Sequence, residues 1–63
     1  SSDLQFKLQK SQELLKTTDD SITAIADATG FSSIYLFCST FKAALGLTPT
    51  QFRKHFKNQG SGG

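Results

Sequence analysis

Four cations and a histidine in the second half of this chain, Lys42, Arg53, Lys54, His55 and Lys57, are placed to meet a polyanion, and no acid accompanies them. All five acids, Asp3, Glu13, Asp19, Asp20 and Asp27, precede Phe31, where they stand among Lys7, Lys10 and Lys16. The formal charge of +2 singles out no partner, but this segregation suits a polyanion docking on the C-terminal half. Other chemistry is poorly supplied. One cysteine (Cys38) and one histidine (His55) form neither an internal disulfide nor a zinc site. Cys38 has no cation beside it in sequence to activate a thiolate, and Asp19-Asp20 has no partners for a catalytic centre. No enzyme activity, metal or cofactor is expected.

Ahead of the basic run lies Gly30-Phe31-Ser32-Ser33-Ile34-Tyr35-Leu36-Phe37-Cys38-Ser39-Thr40-Phe41-Lys42, with more apolar surface than one helix face hides. Projected at about 100° per residue, Phe37, Phe41, Ala44 and Leu45 form a core stripe, flanked by Thr40 and Leu36. Ile34, Tyr35, Cys38, Ser39 and Lys42 fall opposite. The outward residues have a specific chemistry: Ile34 suits a thymine methyl, Tyr35 offers a ring and a hydroxyl, and Ser39 is a versatile hydrogen-bonder. Ser32 and Ser33, with the amides of a helix N-terminus, suit a phosphate. The alternative is that Ile34 and Tyr35 form a patch that docks on a protein. Asp27 would repel phosphate and is expected to face away.

The elements that must position these residues are all helical. Residues 4–16 carry Leu4, Leu8, Ser11 and Leu15 on one stripe, with Leu14 beside it and polar residues opposite. Thr17-Thr18-Asp19-Asp20 stops that helix. A second is predicted over 22–29, capped by Ser21 and ended by Gly30, with Ile22, Ile25 and Ala26 inward. The third starts after Ser32 or Ser33, spans about 33–45, and is closed by Gly46. The fourth begins at Thr48-Pro49-Thr50-Gln51, with Thr48 as cap, Pro49 in the first turn and Gln51 completing a capping box. Its Phe52 and Phe56 are expected to close on the core with Phe31. No stretch alternates as a strand would. Two short helices around a glycine turn, with supporting helices on either side, have the layout of a helix-turn-helix.

Sixty-three residues make one small domain, with stability of about 3–5 kcal/mol. The expected organisation is a linker-type helix over 1–16, the helix-turn-helix unit with its C-terminal helix over 17–57, and a disordered tail over 58–63. No apolar run approaches the ~20 residues of a membrane span. Cysteine usage suits a reducing, cytoplasmic setting. The ends, Ser-Ser-Asp and Gly-Ser-Gly-Gly, read as those of a piece of something longer.

Ser21-Ile22-Thr23-x-Ile25-Ala26-x-x-x-Gly30-Phe31-Ser32-Ser33, then Phe37-x-x-x-Phe41-Lys42-x-x-x-Gly46-x-Thr48-Pro49-x-x-Phe52-Arg53, resembles the second helix-turn-helix of the AraC/XylS transcription regulators. The resemblance implies a bacterial regulator that binds duplex DNA with two such units joined by a long helix. Residues 4–16 would be that helix, and a first unit and an effector or dimerisation domain would lie outside this chain. It maps base contacts onto Ile34, Tyr35, Cys38 and Ser39, and places Lys42 and Arg53 near phosphate. Lys54 joins the phosphate set from its place in the basic run. Ile34 and Ser39 depart from the family's more polar usage, which often has Arg at the second of these positions. No Arg, Asn or Gln on this face offers a bidentate base contact, so it reads as a surface for methyl groups and shape.

Overall fold

The helix boundaries from Ser21 to Thr48 are each set by a side chain or a glycine that the sequence places there. A computed structural model describes the backbone of residues 3–61 and the side chains of residues 3–57. It contains α1 (Asp3–Thr17), α2 (Ile22–Ala28), α3 (Ile34–Leu45) and α4 (Pro49–Ser61). No strand occurs among the described residues. Ser21 Oγ accepts from the Ala24 N–H at 3.1 Å and caps α2. Thr48 and Gln51 form the reciprocal box: Thr48 Oγ1 accepts from the Gln51 N–H at 3.2 Å, and Gln51 Oε1 from the Thr48 N–H at 3.1 Å. Two otherwise orphaned donors are thereby satisfied. Pro49, fully buried, fills the first position of α4, where its missing N–H costs nothing.

The turn between α2 and α3 is a complete Schellman motif. Gly30 N–H donates to Asp27 C=O at 3.2 Å and Phe31 N–H to Ala26 C=O at 3.0 Å, with Gly30 at φ 91°. That conformation strains any residue with a Cβ, and glycine adopts it freely. Phe31 and Ala26, brought together by the motif, are both buried.

The core holds Leu8 and Leu15 of α1, Ile25 and Ala26 of α2, Phe31 of the turn, and Phe37 and Phe41 of α3. Leu14, Ile22, Leu45 and Phe52 pack around it. Four rings run through it in sequence: Phe31 to Phe37 at 5.0 Å, Phe37 to Phe41 at 5.7 Å and Phe41 to Phe52 at 5.5 Å between centroids. The last two pairs meet edge to face, the arrangement that ring quadrupoles favour. Two buried hydroxyls are satisfied within their own helices. Ser11 donates to Leu8 C=O at 2.7 Å, and Thr29 to Ile25 C=O at 2.8 Å.

Four residues expected in or beside the core are exposed instead: Leu4, Leu36, Ala44 and Phe56. Phe56, one turn beyond Phe52 on α4, has no place in the ring series. Lys16 Nζ stands 5.7 Å from its ring and 6.0 Å from that of Phe52, so a lysine stem and charge partly cover it. Leu36 falls at the rim of the α3 stripe, about 100° around from Phe37, and Ala44 lies in the last turn of α3, beyond the buried Phe37 and Phe41. The backbone of α4 continues to Ser61, and residues 62–63 of the expected tail lie outside the described residues.

Candidate nucleic-acid interface

The face of α3 turned away from the core starts from a fixed N-terminus. Ser33, in extended conformation, accepts from the Leu36 N–H at 3.1 Å through Oγ, so it and not Ser32 is the cap. The Schellman turn holds the preceding residues and the Phe37 and Phe41 rings hold the following ones. The first turn of α3 is thus immobilised on both sides, as a surface that must register against a rigid partner requires.

That first turn is apolar and outward. Tyr35 is 82% exposed, Leu36 44% and Ile34 41%. Ser39 and Lys42, one and two turns on, are also exposed. Leu36 was expected on the flank of the core, and its exposure makes the patch three residues wide. Cys38, expected fully outward, is half-buried. It precedes Phe41 by three residues, about 60° around the helix at 3.6 residues per turn, and so falls at the edge of the buried stripe. Of the proposed base-contact residues, the structure brings Ile34, Tyr35 and Ser39 onto open surface and leaves Cys38 at the margin.

The proposed phosphate-contact residues divide. Ser32, Ser33 and Lys42 lie on or beside α3, and Lys54 is exposed on α4. Arg53 turns to the α1–α2 turn, where its Nη2 donates to Asp20 C=O, and its Nε is buried without a partner. Lys57 joins it there in an ion pair with Asp19. The hydrogen bond from Lys57 and its charge, with Arg53 nearby, hold the Asp19 carboxyl below its usual value of 3.8. Asp19-Asp20 is therefore a turn that also clasps α4. Lys42 and Lys54 have no ion pair among the described residues.

One side-chain contact near this surface escaped the sequence reading. Lys7 of α1 reaches the turn, with Nζ 3.4 Å from Gly30 C=O and 5.6 Å from the Phe31 ring centroid. Twenty-three residues separate Lys7 from Gly30, and no local pattern signals such a contact. Asp27 was expected to face away from a polyanion. It lines a shallow hollow together with Ser32, Ser33 and Ile34. The helical period places Asp27 on the open side of α2, but only the turn angle shows that this side adjoins the start of α3.

Among the described residues no group of His, Cys, Asp and Glu could hold a metal, and no helix is long and apolar enough to cross a membrane. Residues 15–54 match the family described as bacterial regulatory helix-turn-helix proteins, AraC family. The chain is 38% identical over 55 residues to the Msm operon regulatory protein of Streptococcus mutans, a match covering 87% of this chain and 20% of that protein. It is 32% identical over 60 residues to the MmsAB operon regulatory protein of Pseudomonas aeruginosa, covering 95% of this chain and 19% of the relative. The chain thus spans about a fifth of the length of these curated relatives. Its fold superposes with a TM-score of 0.87 on the DNA-binding domain of AdpA, a global transcriptional factor solved in complex with a target DNA. That likeness covers 89% of this chain and 50% of the other, at 27% identity. A family of regulatory proteins agrees with the absence of a catalytic constellation in the sequence. The chain belongs to the AraC family of bacterial regulatory helix-turn-helix proteins.

Proposed function

We propose that this chain is a DNA-docking unit of a transcription regulator, with α3 entering the major groove of duplex DNA. Its first turn would face the base edges through Ile34, Tyr35 and Ser39, with Cys38 at the margin. Ser32, Ser33, Lys42 and Lys54 would meet the flanking phosphates, and Arg53 would join them if released from Asp20. The observation that carries this reading is the 82% exposure of Tyr35 on a helix start fixed by the Ser33 cap and the Gly30 turn. The likeness to a domain solved on its target DNA supports it. In the parent protein a first helix-turn-helix unit and an effector or dimerisation domain would supply the remaining length, in the cytoplasm.

A second reading has one observation in its favour. With Leu36 exposed, Ile34, Tyr35 and Leu36 make a continuous apolar patch that a protein partner could cover. Salt separates the two. Docking through Lys42 and Lys54 should make log K fall with log salt at a slope of about −2, near −0.9 per neutralised phosphate. An apolar protein contact would be nearly flat. Fluorescence anisotropy of the chain on a labelled duplex, titrated with salt, measures the slope. A flat response, or no binding at low salt, overturns the DNA reading. Affinity for any one duplex should be weak, because two lysines neutralise few phosphates.

A further inference from the structure

The hollow between the last turn of α2 and the first turn of α3 has a volume of about 140 Å³. Asp27 and Thr23 line one side, and Ser32, Ser33 and Ile34 the other. Three of these residues are the ones set against DNA above. Asp27 is the last acid in the chain. It is exposed, and its carboxylate has no hydrogen bond or ion pair among the described residues, whereas the Asp19 carboxylate is taken by Lys57.

A free carboxylate here weakens docking on any phosphate backbone that approaches it. It can return that cost only by accepting hydrogen bonds, since an ionised carboxylate has no donor. The donors that a major groove presents are exocyclic amines, and the pairing for a carboxylate is the N4 amine of cytosine. Ile34, on the facing wall, offers an alkyl surface to a thymine methyl. An acceptor and a methyl-binding side chain share one hollow at the start of one helix, so they would face adjacent base steps.

We propose that Asp27 is a specificity-determining residue, which accepts from the N4 amine of a cytosine beside the base step that Ile34 reads and disfavours sequences lacking that amine. This rests on the DNA reading above. The test enriches a randomised duplex pool on the 63-residue chain at low salt, for the native sequence and for Asp27→Asn. Glu13→Gln, at an exposed position of α1, makes the same charge change elsewhere, and circular dichroism checks that all three fold alike. The native chain should prefer cytosine about fivefold at one position, the lower end of what a single mismatch costs. Asp27→Asn should lose that preference in favour of adenine, whose N6 and N7 fit a carboxamide, and should bind the unselected pool more tightly. Glu13→Gln should keep the native preference. If the native chain enriches a motif that Asp27→Asn leaves unchanged, the role given to Asp27 is wrong and DNA docking stands. If neither enriches any sequence and neither binds with a salt dependence, the DNA reading falls and takes this one with it.

Discussion

Replacing Phe41 by alanine and Tyr35 by alanine should give opposite outcomes, although both are aromatic residues of the same helix. Phe41 is fully buried and touches rings on two sides, at 5.7 Å and 5.5 Å. Truncating a core Phe to Ala costs about 3–5 kcal/mol. A domain of this length holds only about 3–5 kcal/mol in total, so Phe41→Ala should be largely unfolded at 25 °C. Tyr35 is 82% exposed. Of the ~200 Å² that a Tyr side chain can bury, only about 40 Å² is lost on truncation, or about 1 kcal/mol at ~25 cal/mol per Å². The better helix propensity of alanine returns about 0.5 kcal/mol of that. The helical circular dichroism signal and a urea melt decide the matter. Phe41→Ala should lose its cooperative transition, and Tyr35→Ala should keep a near-native midpoint while its DNA binding changes. A cooperative, near-native melt for Phe41→Ala, or an unfolded Tyr35→Ala, would refute the division of α3 into faces.

Other substitutions test the elements that aim α3. Gly30→Ala should cost about 1–2 kcal/mol, from backbone strain at positive φ; a new Cβ would meet only Lys7 Cε, at an ordinary 3.5 Å, so a loss much above this in a chemical melt would mean that steric crowding had been underestimated. Thr48→Ala removes a cap and should cost about 1 kcal/mol, lowering Tm by roughly 4–8 °C; an unchanged Tm would show that the capping box contributes nothing. The folded-state pKa of Asp19 lies below 3.8, so its pair with Lys57 contributes stability above that pH and loses it as pH falls through the folded value. An NMR titration should therefore find the Asp19 carboxyl midpoint below 3.8 and find it raised in Lys57→Ala; equal midpoints would remove Lys57 as the cause.

The elements were legible in the sequence because local chemistry punctuates them. Ser21, Gly30, Gly46 and Thr48-Pro49-x-Gln51 mark boundaries through their own backbone preferences, and the structure finds each at its task. The inner stripe of α3 was legible for a related reason: Phe37 and Phe41 lie four apart, and that spacing fixes them on one side. Legibility failed where a residue's surroundings come from another element. Phe56 has the same spacing from Phe52, but the core ends before reaching it. Leu36 and Cys38 each fall at a rim of the buried stripe, where a few degrees of helix rotation decide exposure. The hollow containing Asp27, and the approach of Lys7 to Gly30, depend on the angle between helices, which no run of residues encodes alone.

The distribution of charge looks different once these contacts are in place. In the sequence, the second half is a run of cations without an acid. In the fold, Asp19 and the Asp20 carbonyl occupy Lys57 and Arg53, and Asp27 stands beside the start of α3. The basic half is thus partly neutralised by the acidic half, and Lys42 and Lys54 carry most of the attraction left for phosphate. Such a unit would discriminate more than it attracts. Affinity would have to come from linkage, since a second unit on the same chain acts at an effective concentration of about millimolar for a short connection. A weakly attractive unit is suited to that arrangement. Coupled to a partner, it would add selectivity, and its few cations would keep it from holding the pair on unrelated DNA.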